Sequence, residues 1–133
     1  MLEVLPIQDK SSQESVCNRC NVDFNPDLMA YAVYNGGELV GISQFTIKED
    51  GGIIVDLANV QDVTDTQALF VAGRATLNFI DLCGTHRARC YNARIDETLL
   101  RAVGFDKNEE GYFEIDLLHF FEHPCQHDKN NNE

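Results

Sequence analysis

Apolar and polar residues alternate in several short segments of the chain, and this period of two is typical of β-strands. Two such segments flank Asn35-Gly36-Gly37, a combination that predicts a β-hairpin. Glu49-Asp50-Gly51-Gly52 is a second turn of the same kind, and the segment after it is almost continuously apolar. Continuously apolar strands are typical of the centre of a sheet. The pattern therefore predicts an antiparallel meander whose third strand is central.

The longest segment with helical spacing of apolar residues covers residues 65–83, and Gly84 suits the position just after its end. Thr64 and Gln67 have the spacing of a capping box at its start. Ser11 and Glu14 have the same spacing and predict the start of a shorter helix. Each pair indicates a helix whose first N–H groups are satisfied by side chains.

The complete prediction has the order β-α-β-β-β-α-β-α-β. The long helix leads into a further strand, and a helical crossover of this kind suits a parallel neighbour in the sheet. The predicted fold class is thus α/β (α+β), with a mixed, mostly antiparallel sheet and flanking helices. The predicted strands are residues 2–7, 28–34, 38–48, 53–60, 87–92 and 112–118, and the predicted helices are residues 11–20, 65–83 and 96–103.

Length and charge limit the classes of function. The chain has 133 residues, which suits a single domain, here residues 1–122, followed by a polar tail at residues 123–133. The net charge of −12 disfavours nucleic acid and anionic membrane as partners. No apolar run is long enough to span a membrane, and the first residues do not have the pattern of a signal peptide. We expect a cytoplasmic protein.

A strand, a short loop and the start of a long helix follow one another from Gly52 onward. The free N–H groups and the dipole at such a helix start favour an anion. A backbone that wraps closely around a diphosphate usually needs glycine, yet no glycine lies between Gly52 and Gly73. The arrangement favours a nucleotide or coenzyme binder with an altered loop.

The order of these elements resembles that of the GNAT acetyltransferase superfamily, together with two short motifs. Gly37-Glu38-Leu39-Val40-Gly41 resembles the family's hairpin, and Leu100-Arg101-Ala102-Val103-Gly104-Phe105 resembles the end of its last helix. The resemblance covers residues 2–118. It implies an acyl-CoA-dependent N-acyltransferase that carries an acetyl group from acetyl-CoA, its co-substrate, to a small-molecule amine.

The resemblance also implies where the coenzyme lies, because in that family the fourth and fifth strands separate and hold acyl-CoA between them. Its pantetheine would contact the end of the fourth strand, and its diphosphate would contact the following loop and helix start. Asn92, near the same gap, is a further candidate. The implied coenzyme residues are therefore Leu57, Ala58, Asn59, Val60, Val63, Thr64, Asp65, Thr66, Gln67, Ala68 and Asn92.

Two positions differ from the family pattern. The loop lacks the family's glycines and carries Asp65, which would repel a diphosphate. Leu100 stands where the family commonly has a tyrosine acid, four residues before Gly104. An alternative hypothesis is therefore a non-catalytic binding module of the same fold that has lost coenzyme A binding.

Two side chains are candidates for catalysis. Asp56 is the sole carboxylate in the predicted fourth strand and would accept the amine's proton, directly or through water, or else it is an outward-facing strand residue or the partner of a neighbouring arginine. Tyr91, at the end of the predicted fifth strand, would protonate the leaving thiolate, or else it is an amphipathic residue at the core edge.

Two further features leave alternatives open. Cys17 and Cys20 form a C-x-x-C pair, and His123, Cys125 and His127 near the other end would complete a zinc site if the two ends met. We favour two helix cysteines and an unrelated tail, so no metal is expected. The apolar run at residues 117–121 either covers the domain's own core or forms a homodimer contact.

Overall fold

Residues 1–122, the part of the chain that the computed structural model describes, form a seven-stranded mixed sheet and three helices. The sheet order is β1-β2-β3-β4-β5-β7-β6, with β4 central and parallel to β5, and with all other neighbours antiparallel. The predicted fold class and order are confirmed, with a short extra strand, β6. The strands are β1 Leu2–Pro6, β2 Met29–Asn35, β3 Glu38–Lys48, β4 Gly51–Asn59, β5 Arg87–Cys90, β6 Asp106–Lys107 and β7 Phe113–Asp116, and the helices are α1 Lys10–Arg19, α2 Thr66–Leu82 and α3 Glu97–Val103.

A bulge in β4 sets the direction of its side chains. Gln44 of β3 pairs with Asp56, and the next residue of β3, Phe45, pairs with Ile54, so Val55 has no partner of its own. Bulges of this kind bend a strand and redirect the side chains beside them. This bulge places Asp56 and Gln44 side by side on the face of the sheet that α1 covers.

Helix α2 packs very closely against the opposite face of the sheet. A Cβ atom on Gly41 of β3 would lie 2.9 Å from Leu69 Cδ2 and 2.9 Å from the carbonyl oxygen of Ala58. The buried hydroxyls of Ser43 and Thr76 form a 2.8 Å hydrogen bond between β3 and α2. Glycine and serine in β3 therefore allow the helix to approach the centre of the sheet.

Both predicted capping boxes are wrong. The N-cap of α1 is Asp9, whose carboxylate accepts from Ser12 N–H at 2.9 Å, so Ser11 lies inside the helix. The N-cap of α2 is Asp65, whose carboxylate accepts from Ala68 N–H at 3.0 Å, one residue after the predicted cap Thr64. In both places a nearby aspartate, two residues before Ser11 and one residue after Thr64, supplies a charged acceptor and sets the start of the helix.

The apolar run after β7 mainly covers the core. Leu117 is fully buried, and Phe120 and Phe121 pack against the main hydrophobic cluster. Leu118 is 55% exposed. The predicted homodimer stays a prediction, and the predicted tail at residues 123–133 lies outside the described residues. Within residues 1–122, no helix combines the length and apolar character that a membrane crossing requires.

Candidate functional site

The parallel strands β4 and β5 separate soon after they meet. Within residues 1–122 they pair only at Gly52 with Ala88 and at Ile53 with Arg89, although β4 continues to Asn59. The side chain of Asn59 bonds the backbone N–H of Asp65 at 3.2 Å, which ties the end of β4 to the start of α2. The separation therefore opens a gap in the middle of the sheet, beside the N-terminal end of the longest helix.

Asn92 spans this gap. Its Nδ2 donates to the carbonyl oxygen of Val55, the bulged residue of β4, at 2.8 Å, and lies 3.4 Å from Asp56 Oδ1. Its Oδ1 accepts from Arg94 N–H at 2.9 Å, a local turn that leads the chain away from β4. One side chain thus ends β5, satisfies the bulge carbonyl and fixes the width of the opening.

Two cavities meet at the bridge that the Asn92 side chain forms to the Val55 carbonyl. The larger has a volume of about 610 Å³, and the smaller one of about 240 Å³ lies along the end of β4. Asp56, Asn92 and Arg94 line both cavities. The larger is otherwise lined by Asp23, Asn25, Leu28, Ile53, Ile54, Val55, Tyr91 and Ala93, and the smaller by Cys20, Asn21, Val22, Leu57, Ala58 and Ile95. A carboxylate therefore lies where a ligand in one cavity would meet a ligand in the other.

Asp56 is nearly buried, with 6% of its surface exposed. Its Oδ2 accepts a 2.8 Å hydrogen bond from Gln44 Nε2. Burial raises the pKa of Asp56 above its ordinary value, although the Gln44 hydrogen bond and the charge of Arg94 oppose this rise. A carboxylate with a raised pKa at the wall of a cavity has the properties of a general base.

At the start of α2 the chain's own carboxylate occupies the position of an anion. Asp65 bonds Ala68 N–H, and its other oxygen accepts from Asn35 Nδ2 at 3.2 Å. An external phosphate at this helix start would meet that negative charge. The missing glycines thus coincide with a helix start that is already capped.

Comparison with known proteins shows the fold. No family model and no curated protein matches the sequence, whereas many solved structures match. One is the ribosomal-protein-S18-alanine N-acetyltransferase of Escherichia coli, with a TM-score of 0.65, 9% identity and coverage of 88% of this chain and 94% of that chain. The chain has the GNAT fold.

Two further solved structures with this fold support the match. A Bacillus subtilis acetyltransferase in complex with CoA has a TM-score of 0.67 and 12% identity, over 88% of this chain and 99% of that one. A GNAT-family acetyltransferase from Streptococcus pneumoniae has a TM-score of 0.60 and 12% identity, over 80% of this chain and 88% of that one. Such low identities show a shared fold with largely different side chains.

The GNAT fold brings the two predicted catalytic residues to one cavity. Tyr91 follows the end of β5, is 54% exposed and packs against Tyr112 with ring centroids 4.7 Å apart. It lines the same cavity as Asp56. The predicted fifth strand, residues 87–92, is two residues longer than β5, because the pairing with β7 ends at Cys90. Their catalytic roles stay predictions.

The predicted coenzyme residues fall into three groups. Leu57 and Ala58 line the smaller cavity together with Asn92. Val60 and Val63 line a separate cavity of about 620 Å³ beside α1, away from the bridge. Asn59 and the loop-helix residues Thr64, Asp65, Thr66, Gln67 and Ala68 lie at the junction of β4 and α2, where Ala68 is fully buried. The residues of the first group are thus those that the structure places on the gap itself.

Four polar residues near Asp56 are absent from the sequence prediction: Gln13, Gln44, Asp23 and Arg94. Gln13 and Gln44 are fully buried. Gln13, Cys17 and Cys20 have the i, i+4, i+7 spacing of one helix face, so the sequence could have indicated that Gln13 is a buried polar residue. Gln44 gave none, because its pairing with Asp56 depends on the bulge.

The C-x-x-C pair lies inside the protein. Burial raises the pKa of Cys17 to about 11 and that of Cys20 to about 12, so both thiols are protonated at neutral pH. Metal binding requires thiolates. Within residues 1–122, no three His, Cys, Asp or Glu side chains are arranged to hold a metal ion. His123, Cys125 and His127 lie outside the described residues.

Proposed function

We propose that this protein transfers an acetyl group from acetyl-CoA to the nitrogen of a small-molecule amine. The observation that carries the proposal is the gap between β4 and β5, with the buried carboxylate of Asp56 at the junction of two cavities. The GNAT fold supports it, since solved structures that share this fold are acetyltransferases and one of them holds CoA.

The coenzyme would enter between the separated strands. Its pantetheine would lie in the smaller cavity beside Leu57, Ala58 and Asn92, and would be followed outward by Asn59 and Val60. The diphosphate would lie over the loop from Val63 to the start of α2. The reacting carbonyl would then lie near Asp56, because this residue lines both cavities.

The chemistry begins with a proton transfer from the amine, and acyl transfer and further proton transfers follow. The amine arrives as an ammonium ion, and Asp56 accepts one of its protons, which leaves a lone pair on nitrogen. The nitrogen attacks the thioester carbonyl, a C–N bond forms, and the C–S bond breaks. The leaving thiolate takes a proton from the phenol of Tyr91, and the nitrogen loses its remaining extra proton to solvent. Asp56 then releases its proton to solvent and Tyr91 takes one up, which restores both side chains. Holding both reactants in adjoining cavities supplies the positioning on which such transfers depend.

The charges around the larger cavity favour a cationic acceptor. Two carboxylates, Asp23 and Asp56, and one guanidinium, that of Arg94, line it. Leu28, Ile53 and Val55 supply an apolar wall for the rest of the molecule. A small primary amine with an apolar body suits this lining, since a charged amine placed beside the buried carboxylate of Asp56 gains electrostatic energy.

A second candidate function is a binding module with the GNAT fold that has lost coenzyme binding. The specific observation in its favour is Asp65, whose carboxylate occupies the helix start that would hold a diphosphate. Leu100, at the position of the family's tyrosine acid, is 1% exposed and belongs to the core. Such a module would keep the larger cavity and bind its ligand without transfer.

Titration calorimetry with acetyl-CoA separates the two functions. Micromolar binding supports the enzyme, and no heat at millimolar acetyl-CoA would contradict it and leave the binding module. A mass-spectrometric screen of primary amines with acetyl-CoA then tests transfer directly. Asp56→Ala should abolish transfer while acetyl-CoA still binds, and Asp27→Ala, which removes an exposed carboxylate, is the matched control.

A further inference from the structure

We infer that Gln44 is a positioning residue that fixes the direction of the Asp56 carboxylate, and that Gln13 and Lys10 fix the direction of Gln44. The inference rests on the proposed function, because positioning matters only if Asp56 accepts a proton. The four side chains form one hydrogen-bonded chain from the surface of α1 to the gap in the sheet.

Gln44 is the link between helix and carboxylate. It is fully buried, and its Nε2 donates both to Asp56 Oδ2 at 2.8 Å and to the carbonyl oxygen of Asp23 at 2.9 Å. Its Oε1 accepts from Gln13 Nε2 at 2.9 Å. Every atom of the amide group thus has a partner in place, and the side chain cannot turn without losing several bonds.

The donor-to-acceptor direction of this series of hydrogen bonds follows from Lys10. Its ammonium group has donors and no acceptor, so Gln13 must present Oε1 to Lys10 Nζ, which lies 2.9 Å away. Gln13 Nε2 then faces Gln44 and also donates to the carbonyl oxygen of Leu28 at 3.2 Å. Because Gln44 receives this donor on its oxygen, it must offer its NH₂ group to Asp56. The orientation of both amides is fixed by chemistry rather than by a choice of which amide atom is oxygen.

This arrangement gives the two carboxylate oxygens of Asp56 different roles. Oδ2 is held by Gln44, whereas Oδ1 has the longer 3.4 Å contact with Asn92 and is the oxygen left to accept a proton. The Gln44 hydrogen bond also favours the ionised carboxylate that a base needs. Besides burial and Gln44, the charge of Arg94 lowers the pKa of Asp56 and that of Asp23 raises it. Asp56 in turn adds to burial in raising the pKa of Cys17 and of Cys90.

Packing between α1 and β3 does not by itself require the hydrogen bond between these two glutamines. Replacing both partners of a buried hydrogen bond by apolar groups of similar shape is often nearly neutral for stability. Two apolar side chains would therefore replace the bond between Gln13 and Gln44 at little cost, but they would leave the Asp23 carbonyl and the Asp56 carboxylate without the donor that Gln44 supplies. The amides become necessary when the carboxylate at the end of the chain must stay charged and correctly turned.

The test is a carbon-13 NMR titration of the Asp56 carboxyl in the free protein, with Gln44→Met as the variant. Methionine has a similar shape but cannot donate, so we expect the Asp56 titration midpoint to move to higher pH. With an amine substrate in hand, kcat/KM at pH 7 should fall about tenfold, and the acidic limb of the pH profile should move in the same direction. Thr76→Val, which removes a buried hydrogen bond on the opposite face of β3, is the matched control and should leave the midpoint in place.

An unchanged midpoint in folded Gln44→Met would overturn the inference. If that variant does not fold, Gln13→Met serves instead, because it keeps Gln44 but frees its amide to turn. We expect a smaller move in the same direction, and no move would again contradict the inference. The midpoint is read without coenzyme, so a failure of acetyl-CoA to bind counts against the proposed function separately.

Discussion

Asn92 donates a 2.8 Å hydrogen bond to the carbonyl oxygen of Val55 and so joins β4 to the turn after β5 at the place where the two strands separate. Val55 is the bulged residue of β4, which has no paired residue in β3, and the side chain of Asn92 donates to its carbonyl oxygen. A gap in the middle of a sheet exposes backbone groups that require partners. One asparagine supplies such a partner and leaves room for a ligand beside it.

Asn92→Ala should lower the free energy of unfolding by about 1–3 kcal/mol, because it leaves the Val55 carbonyl without its donor. Urea denaturation measures this. Asn25→Ala is the control, since Asn25 makes the same kind of local turn, with Asp27 N–H at 2.9 Å, but no bridge between strands. Equal losses in the two variants would mean that the bridge contributes nothing beyond its local turn.

Asp65→Ser should tighten acetyl-CoA binding. Serine keeps an N-cap acceptor for Ala68 N–H, so α2 keeps its start, while the negative charge is removed. One unit charge about 4 Å from a phosphate in water costs about 1 kcal/mol, which corresponds to a roughly fivefold gain in affinity. Calorimetry at two salt concentrations checks this, and the gain should shrink at high salt.

The matched variant Asp65→Ala removes both the charge and the cap. It should lose about 1 kcal/mol of stability while it shows the same gain in affinity. If neither variant binds acetyl-CoA more tightly, the diphosphate does not lie at this helix start.

Asp56→Asn should change how stability depends on pH. Burial raises the pKa of Asp56 in the folded state above its ordinary value of 3.8, so ionisation costs more in the folded than in the unfolded protein. The neutral Asp56 carboxyl therefore makes a contribution to folding stability that is fully present below pH 3.8 and is lost as pH rises through the raised pKa of the folded state. The melting temperature of Asp56→Asn relative to wild type should therefore increase with pH over that interval.

The change with pH is the readout for Asp56→Asn, because asparagine does not titrate and whatever hydrogen bond it forms with Gln44 adds the same amount at every pH. Asp27→Asn, at an exposed position, is the control and should give a flat difference. If the difference in melting temperature between Asp56→Asn and wild type is also independent of pH, ionisation of Asp56 does not destabilise the folded protein.

A structural feature can be predicted from the sequence when the residues that determine it lie close together along the chain. The strand predicted at residues 38–48 has the observed bounds of β3, Glu38–Lys48, because glycine turns mark both of its ends. The predicted N-caps are wrong because Asp9 and Asp65 compete with Ser11 and Thr64 for the N-cap position, and their carboxylates accept from Ser12 N–H and Ala68 N–H. That competition depends on backbone angles that no spacing rule contains.

The site was predictable in part for the same reason. Asp56 could be named because it is a lone carboxylate in an apolar strand, and such a residue has to be explained. Gln44 could not, because the bulge that pairs it with Asp56 is a property of two strands together. Asn92 was placed near the gap by resemblance, but its bond to Val55 depends on the same bulge.

Gly52→Ala should destabilise the protein by about 1–3 kcal/mol, because a Cβ atom there would lie 2.5 Å from Cδ1 of Ile80, a fully buried residue of α2. Gly52 also pairs with Ala88 at one of the two positions where β4 and β5 are joined within residues 1–122. A shift of either element to relieve the overlap would therefore disturb the point from which the gap opens.

The Ile80→Ala background shows whether this overlap is the cause. Removing the Ile80 side chain makes room for the new methyl group, so the loss caused by Gly52→Ala should shrink there by about 0.5–3 kcal/mol. Urea denaturation of wild type, both single variants and the double variant measures this coupling. An equal loss in both backgrounds would mean that strand conformation at residue 52, rather than contact with α2, requires the glycine.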